Sequence, residues 1–357
     1  GAGYITLCAW LLARLAGSPL AGILLAFFLT FDITSAALVL GPDMLTIAPV
    51  LGALLLKDRP WLAGVVLALG FHVNTKTVLF LPLLWSWRSW VAFLLAAAPV
   101  FLWKGYFEQV WQWGSLYASQ TFVQNPWKDG VLKTLGWLGF HITLVIGAVK
   151  GKWNWKIALW LLIGGICVFA GLRFFPRYYF HLLPPLCLLA SQGLERMNRW
   201  KWIPLALLLL PLLRFGPPYL NIAFQKPVAD LAMFRDSQMA ATVINSIKKP
   251  GDTIFVWGYR PDVDVLTDLP GGTPFLESQP LTGVFADRHL FSDQVSSDGS
   301  EQRKKLVHSK PTFIVDGLGR YNPRLAITQY QDLQEWLAGY REVARTNGSI
   351  IYRKSEN

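Results

Sequence analysis

A chain of 357 residues that is 53% hydrophobic and 15% charged lacks the composition of an ordinary soluble enzyme, which carries about a quarter charged residues. The net charge of +11 would suit nucleic acid. Much of the basic charge, however, lies in short loops between apolar stretches, where it matches anionic lipid, so membrane lipids and no nucleic acid are the expected partners.

In chain order, apolar residues run almost without interruption to about residue 215. A spanning helix needs about 20 residues. Breaks at Pro42, Pro60, Asn74 and Pro176 help divide the region into about ten segments: 4–16, 19–40, 43–57, 60–73, 77–87, 89–104, 130–149, 155–173, 178–194 and 201–215. The first, fourth and fifth are short for a full crossing. The expected fold class is a polytopic α-helical membrane protein of about ten spans (residues 1–215) with a C-terminal extracytoplasmic α/β domain (residues 216–357). The 17 tryptophans favour a bilayer interface. The three cysteines, Cys8, Cys167 and Cys187, lie inside apolar segments without metal-ligand spacing and read as small apolar residues.

Alternate loops carry Arg14; Lys57 and Arg59; Arg88; Lys150, Lys152 and Lys156; and Arg196, Arg199 and Lys201. The excess of Lys and Arg in cytoplasmic loops orients the chain in its membrane. It puts Gly41–Asp43, Asn74–Lys76, Gly105–Asp129 and Arg173–Arg177 on the outer side with the C-terminal domain. Ten crossings also place Gly1 outside, so a cytoplasmic start requires a further span and outer loop before Gly1.

Beyond residue 215 the pattern changes. Pro227–Lys248 has apolar residues at helical spacing, stopped by Lys248-Lys249-Pro250-Gly251. Thr253–Trp257 and Thr312–Val315 read as strands, and Glu301–Ser309 and Gln331–Tyr340 as helices. Glu342–Arg345 and Ser349–Tyr352 pair as a hairpin across Thr346-Asn347-Gly348. Thr267–Asp298, rich in Gly, Pro, Ser and Asp, reads as a long loop.

Positive charge on the outer side runs against the orientation rule and marks candidate sites. Lys76, Arg173 and Arg177 all fall at outer segment ends. Arg173-Phe-Phe-Pro-Arg-Tyr-Tyr-Phe-His181 gathers two guanidiniums, aromatics and an imidazole at a helix break. Guanidinium matches phosphate by bidentate hydrogen bonding, so a lipid phosphate fits, against a simpler role in interfacial anchoring. Asp43 reads first as a helix N-terminal cap. Asp32, inside an apolar run, is a candidate unless Thr30 or Thr34 satisfies it. His72 and His181 could contact substrate. Glu108, Trp111, Trp113, Tyr117, Trp127 and Asp129 suit sugar faces and hydroxyls, or equally an interfacial belt. The chain has no P-loop, no GxSxG, no HExxH and no dinucleotide fingerprint in a βαβ setting, which argues against nucleotide hydrolysis, zinc proteolysis and hydride transfer.

Gly41-Pro-Asp-Met-Leu-Thr, Lys57-Asp-Arg-Pro-Trp-Leu-Ala-Gly64, Ala68-Leu-Gly-Phe71 with Thr75-Lys76, Arg173 to Ala190, and Asp252 to Pro261 together resemble the bacterial membrane glycosyltransferases of the GT-C type. Within these, the chain is most similar to the branch related to the dolichyl-phosphate-mannose protein mannosyltransferases and the aminoarabinose lipid A transferase. The resemblance implies an inverting hexosyl- or pentosyltransferase. It would move a sugar from a polyprenyl-phosphate donor to a lipid, glycan or protein acceptor on the outer face of the membrane. It places Asp43, Lys76, Arg173, Arg177 and Tyr178 at the donor phosphate or acceptor pocket. The catalytic acid of that group lies in an outer loop that would precede Gly1, so its residue is unknown here and residues 1–357 would be inactive alone. The resemblance fixes no cofactor and leaves room for a divalent cation. The rival is a non-catalytic transporter or polysaccharide-assembly subunit, which would place its polar groups near mid-membrane, often in repeated halves.

Overall fold

The computed structural model describes residues 1–32, 40–103, 105–112, 114–115, 125–226, 229–284 and 299–355. Two compact units divide between Gln225 and Lys226.

The first unit is helical, and local chemistry cuts its apolar sequence into short pieces. Gly17, in the left-handed region at φ 65°, ends Ala2–Ala16. Proline at the first turn opens Pro19–Phe31, Pro42–Leu45, Pro60–Val73 and Pro126–Phe140, where its missing N–H costs no hydrogen bond. Asn74 ends Pro60–Val73, and its side chain accepts from the Lys76 N–H to start a 3-10 segment, Thr75–Leu84, that contains Pro82. At His141 the chain bends by 80° between Pro126–Phe140 and Ile142–Val149.

These breaks overturn the expected ten-span membrane fold. Among the described residues no single helix is long and apolar enough to cross a membrane. Ala2–Ala16, Pro126–Phe140 and Trp155–Phe169 each have 15 residues. At 1.5 Å per residue that is roughly 22 Å, short of a hydrocarbon core of about 30 Å. Two bent pairs, Pro126–Phe140 with Ile142–Val149 and Asn198–Phe215 with Pro217–Ala223, pass by length and composition only when joined. Apolar composition was legible; helix continuity was not.

Small residues let the helices close up. A Cβ on Gly64 would lie 2.2 Å from the Ser89 carbonyl oxygen, and one on Gly193 would lie 1.8 Å from that of Gly147. Phe28, Leu51, Phe93, Trp160, Tyr179, Phe180 and Leu189 fill the interior. The outside of the unit is also apolar: Leu95 is 67% exposed, Leu102 86% and Leu213 71%.

The second unit is built on a four-stranded sheet of order β1-β2-β4-β3. The strands are β1 (Ile254–Trp257), β2 (Phe313–Asp316), β3 (Tyr340–Arg345) and β4 (Ile350–Lys354). β1 and β2 are parallel, with Ile254 opposite Phe313, and β4 runs antiparallel to both β2 and β3. Side chains alternate across a strand, so each face has its own core. Ile254, Val256, Phe313, Val315 and Ile351 pack with Ala240 and Ile244 of helix Ala229–Ile247 and with Val263 of helix Pro261–Thr267. Phe255, Trp257, Ile314 and Tyr352 pack with Leu306 of helix Ser300–Val307 and with Leu325, Tyr330 and Leu333. The expected Thr267–Asp298 loop contains the short helix Gln279–Thr282; its residues 285–298 lie outside the described residues.

A buried ion pair ties this unit together. Arg260 Nη1 donates to Asp236 Oδ2 at 2.7 Å, its Nε to Ser237 Oγ at 3.0 Å and its Nη2 to the Met233 carbonyl at 3.0 Å. Asp236 also accepts from the Gly348 N–H and the Ser349 hydroxyl, each at 2.7 Å. Helix Ala229–Ile247 is thereby fastened to the hairpin turn. Burial alone would raise the Asp236 carboxyl, but hydrogen bonds from Thr346, Ser349, Arg260 and Gly348 outweigh it and hold it below the usual carboxylate range.

Candidate functional site

Asp43 lies in the first turn of Pro42–Leu45, following Gly41. It is the acidic residue of that turn; its side chain is buried, 4% exposed, and faces groups brought from two distant parts of the chain. The first is the end of Pro60–Val73, where Asn74 Nδ2 donates to Asp43 Oδ1 at 3.2 Å and Lys76 Nζ stands 3.6 Å from the same oxygen. The second is the 3-10 segment Pro176–Leu182. It supplies Arg177 Nε, 3.6 Å from Asp43 Oδ2, and His181 Nε2, 3.4 Å from Oδ1. Lys76 Nζ also sits 3.5 Å from the centroid of the Tyr178 ring, a cation–π geometry. The Arg177 guanidinium lies 4.9 Å from the Phe175 ring and 5.6 Å from that of Tyr178.

Of the five residues named from sequence, Asp43, Lys76, Arg177 and Tyr178 therefore form one cluster. Arg173 lies in the irregular stretch just before Pro176–Leu182 and is 1% exposed; its carbonyl accepts from Lys133 Nζ at 3.5 Å. The backbone around the cluster is strained. Leu40, Leu172 and Phe174 have φ of 50°, 49° and 49°, a left-handed conformation that costs a non-glycine residue about 1–2 kcal/mol and concentrates at functional sites.

Charge gives the cluster its preference. Lys76 and Arg177 outnumber the single carboxylate of Asp43, leaving a positive excess, and 48% of the Arg177 side chain is open to solvent. An anion can reach the guanidinium from outside while Asp43 holds the cations from within. The same surroundings disfavour a divalent cation, since Asp43 is already flanked by two positive side chains. Among the described residues no group of three or more His, Cys, Asp or Glu is placed to hold a metal ion.

The other sequence candidates lie elsewhere. His72 Nε2 is 3.0 Å from the Ala96 carbonyl. Trp127 packs on Phe169, Asp129 pairs with Lys133 at 2.8 Å, and Glu108 and Trp111 lie in the π-helical segment Phe107–Gln112. Trp113, Tyr117 and Thr34 lie outside the described residues.

Asp32 is not satisfied by Thr30, whose hydroxyl donates to the Ala26 carbonyl. Instead Trp137 Nε1 donates to Asp32 Oδ2 at 3.2 Å, and His141 Nε2 stands 3.6 Å from that oxygen. The His141 ring stacks on Trp137 at 3.9 Å and lies 4.6 Å from Phe28. Sequence reasoning missed His141 and the bridging role of Asn74. His141 stands four residues after Trp137 at a helix break, a signal of the same kind that singled out His181. In the second unit it also missed Glu277, whose carboxyl burial pushes up to about 7 even though the Gln279 N–H and Tyr259 hydrogen-bond to it.

No family model, curated protein or solved structure matches this chain.

Proposed function

We propose that the chain is a glycosyltransferase acting at a bacterial plasma membrane, with residues 226–357 on the extracytoplasmic side. It moves a sugar from a polyprenyl-phosphate donor to a lipid, glycan or protein acceptor. The observation that carries this reading is the convergence of Lys76, Arg177 and His181 on Asp43, with Tyr178 against Lys76; of these, Asp43, Lys76, Arg177 and Tyr178 are the groups that the family resemblance implicates. The apolar exterior of the first unit supports work on a lipid-borne substrate, because apolar surface of this extent is unusual on a water-soluble monomer.

In the reaction the acceptor hydroxyl oxygen bonds to the anomeric carbon, the carbon–oxygen bond to the phosphate breaks, and the phosphate departs with the electron pair. The hydroxyl proton passes to a base. Asp43 is engaged by cations and does not take that role. Lys76 and Arg177 stabilise the departing phosphate, whose negative charge grows in the transition state. Tyr178 orients Lys76 through its ring face.

Membranes carrying the full-length protein should release polyprenyl phosphate from a sugar-radiolabelled polyprenyl-phosphate donor. Arg177→Ala should abolish the release with protein level unchanged. Undiminished release in Arg177→Ala removes this residue from the donor site and the reading with it.

A further inference from the structure

The sequence spreads basic residues over five short loops; the structure joins those loops into one edge. Ser18 Oγ donates to Glu195 Oε1 at 2.5 Å, linking the first loop to the last. The Trp61 and Trp87 rings meet edge to face at 6.5 Å, and Trp85 meets Trp155 at 5.5 Å. Arg196 Nη1 donates to the Lys150 carbonyl, and the Lys152 N–H donates to Gln192 Oε1, each at 3.0 Å.

The edge carries ten basic side chains, on Arg14, Lys57, Arg59, Arg88, Lys150, Lys152, Lys156, Arg196, Arg199 and Lys201, against two acidic ones, on Asp58 and Glu195. Tryptophans lie among them. Arg88 stands over Trp87, Lys156 over Trp155, Arg199 over Trp200 and Lys201 over Trp202, at 5.5–5.7 Å from the ring centroids. These four tryptophans and Trp61, Trp85 and Trp153 are all exposed.

We propose that this edge binds the headgroup layer of an anionic phospholipid bilayer. Indoles settle at the boundary between headgroup and acyl chain, and each basic side chain near an anionic surface adds attraction. Nucleic acid would also meet the charge. Helix Trp87–Ala97, however, which starts at the edge with Trp87 and Arg88, also exposes Leu94, an apolar surface that suits acyl chains and not a phosphate backbone. The edge is separate from the Asp43 cluster. Helix Pro60–Val73 starts at the edge and ends beside Asn74, and Leu183–Arg196 starts after His181 and ends at Arg196. Each has 14 residues, which sets the two places roughly 21 Å apart.

The test is partition of the purified full chain between nanodiscs of phosphatidylcholine and nanodiscs containing phosphatidylglycerol. The chain should prefer the anionic discs, and salt should weaken the preference. Lys150→Gln/Lys152→Gln/Lys156→Gln should reduce it by roughly two orders of magnitude. Lys304→Gln/Lys305→Gln, in the second unit, should leave it unchanged and serves as the control for general charge. Circular dichroism confirms that each variant is folded. Arg177→Ala, which tests the transfer reading, should keep the full lipid preference, so the two proposals fail separately. Equal partition into both discs, an unchanged preference in the folded triple variant, or displacement of the protein from anionic discs by single-stranded RNA would each overturn the proposal.

Discussion

Arg177 Nε stands 3.6 Å from Asp43 Oδ2 while nearly half of the Arg177 side chain remains in solvent and the Asp43 side chain is 5% exposed. The pair is thus half held and half offered. A guanidinium in this position can keep its buried partner and still present N–H groups to an arriving phosphate. Arg177→Lys retains the charge but not the fork. It should weaken binding of a polyprenyl monophosphate by about tenfold, and Arg177→Ala by ten- to a hundredfold, the range expected for a charged hydrogen bond. Titration of the lipid against the protein in nanodiscs measures both.

Asp43 restrains Lys76, Arg177 and His181. Asp43→Asn leaves the cations facing one another without an anion, a loss that destabilises by less than the removal of a partner from a fully buried pair because Lys76 and Arg177 are partly exposed. The variant should unfold at a lower temperature than the parent. Added polyprenyl monophosphate should raise its midpoint more than it raises that of the parent, because the phosphate replaces the missing charge. Equal shifts in the two proteins would contradict the account.

In the second unit, Arg260 is buried and its guanidinium donates to helix Ala229–Ile247 and to the hairpin turn. Arg260→Met leaves the Asp236 carboxylate unpaired and should destabilise this unit by about 3–5 kcal/mol, read by chemical denaturation. The Asp236 carboxyl is held below its ordinary value of 3.8. Its contribution to stability is therefore fully present above about pH 4 and is lost as the pH falls through the lower folded value. Arg260→Met should flatten that acid limb.

Glu277 has the opposite sign. Burial lifts its carboxyl from 4.5 to about 7, so the folded state binds the proton more tightly than the unfolded chain. Glu277 favours folding below about pH 4.5 and progressively loses that contribution as the pH rises to about 7. Glu277→Gln should remove this decline, and a denaturation series across the window detects the difference.

The sequence reveals most where the signal is local. Ile-Phe-Val-Trp before a glycine marks β1, and Thr346-Asn347-Gly348 marks the turn between β3 and β4, because β-rich composition and turn chemistry act over a few residues. Helix Pro261–Thr267 was passed over although Pro261 and the acids Asp262 and Asp264 stand in its first turn, a usual helix-start signal. Asp43, Lys76 and Arg177 were visible as ionisable groups at the ends of apolar stretches. That they meet was not visible, since contact between residues 43, 76 and 177 depends on how the intervening helices pack. The span expectation failed for a related reason. Hydropathy reports the surroundings a segment tolerates, while Pro82, Asn74 and the bend at His141 decide whether its helix continues.

The central claim is that the Asp43, Lys76 and Arg177 cluster receives a lipid phosphate. Photo-crosslinking tests it most directly: a polyprenyl-phosphate sugar with a photoreactive group beside the phosphate is irradiated with the protein in nanodiscs, and the adducts are mapped by mass spectrometry. The account predicts adducts within residues 41–46, 74–78 and 173–181, suppressed by excess polyprenyl monophosphate and lost in Arg177→Ala. Adducts confined to other segments, or the same adducts at full yield in Arg177→Ala, would contradict it.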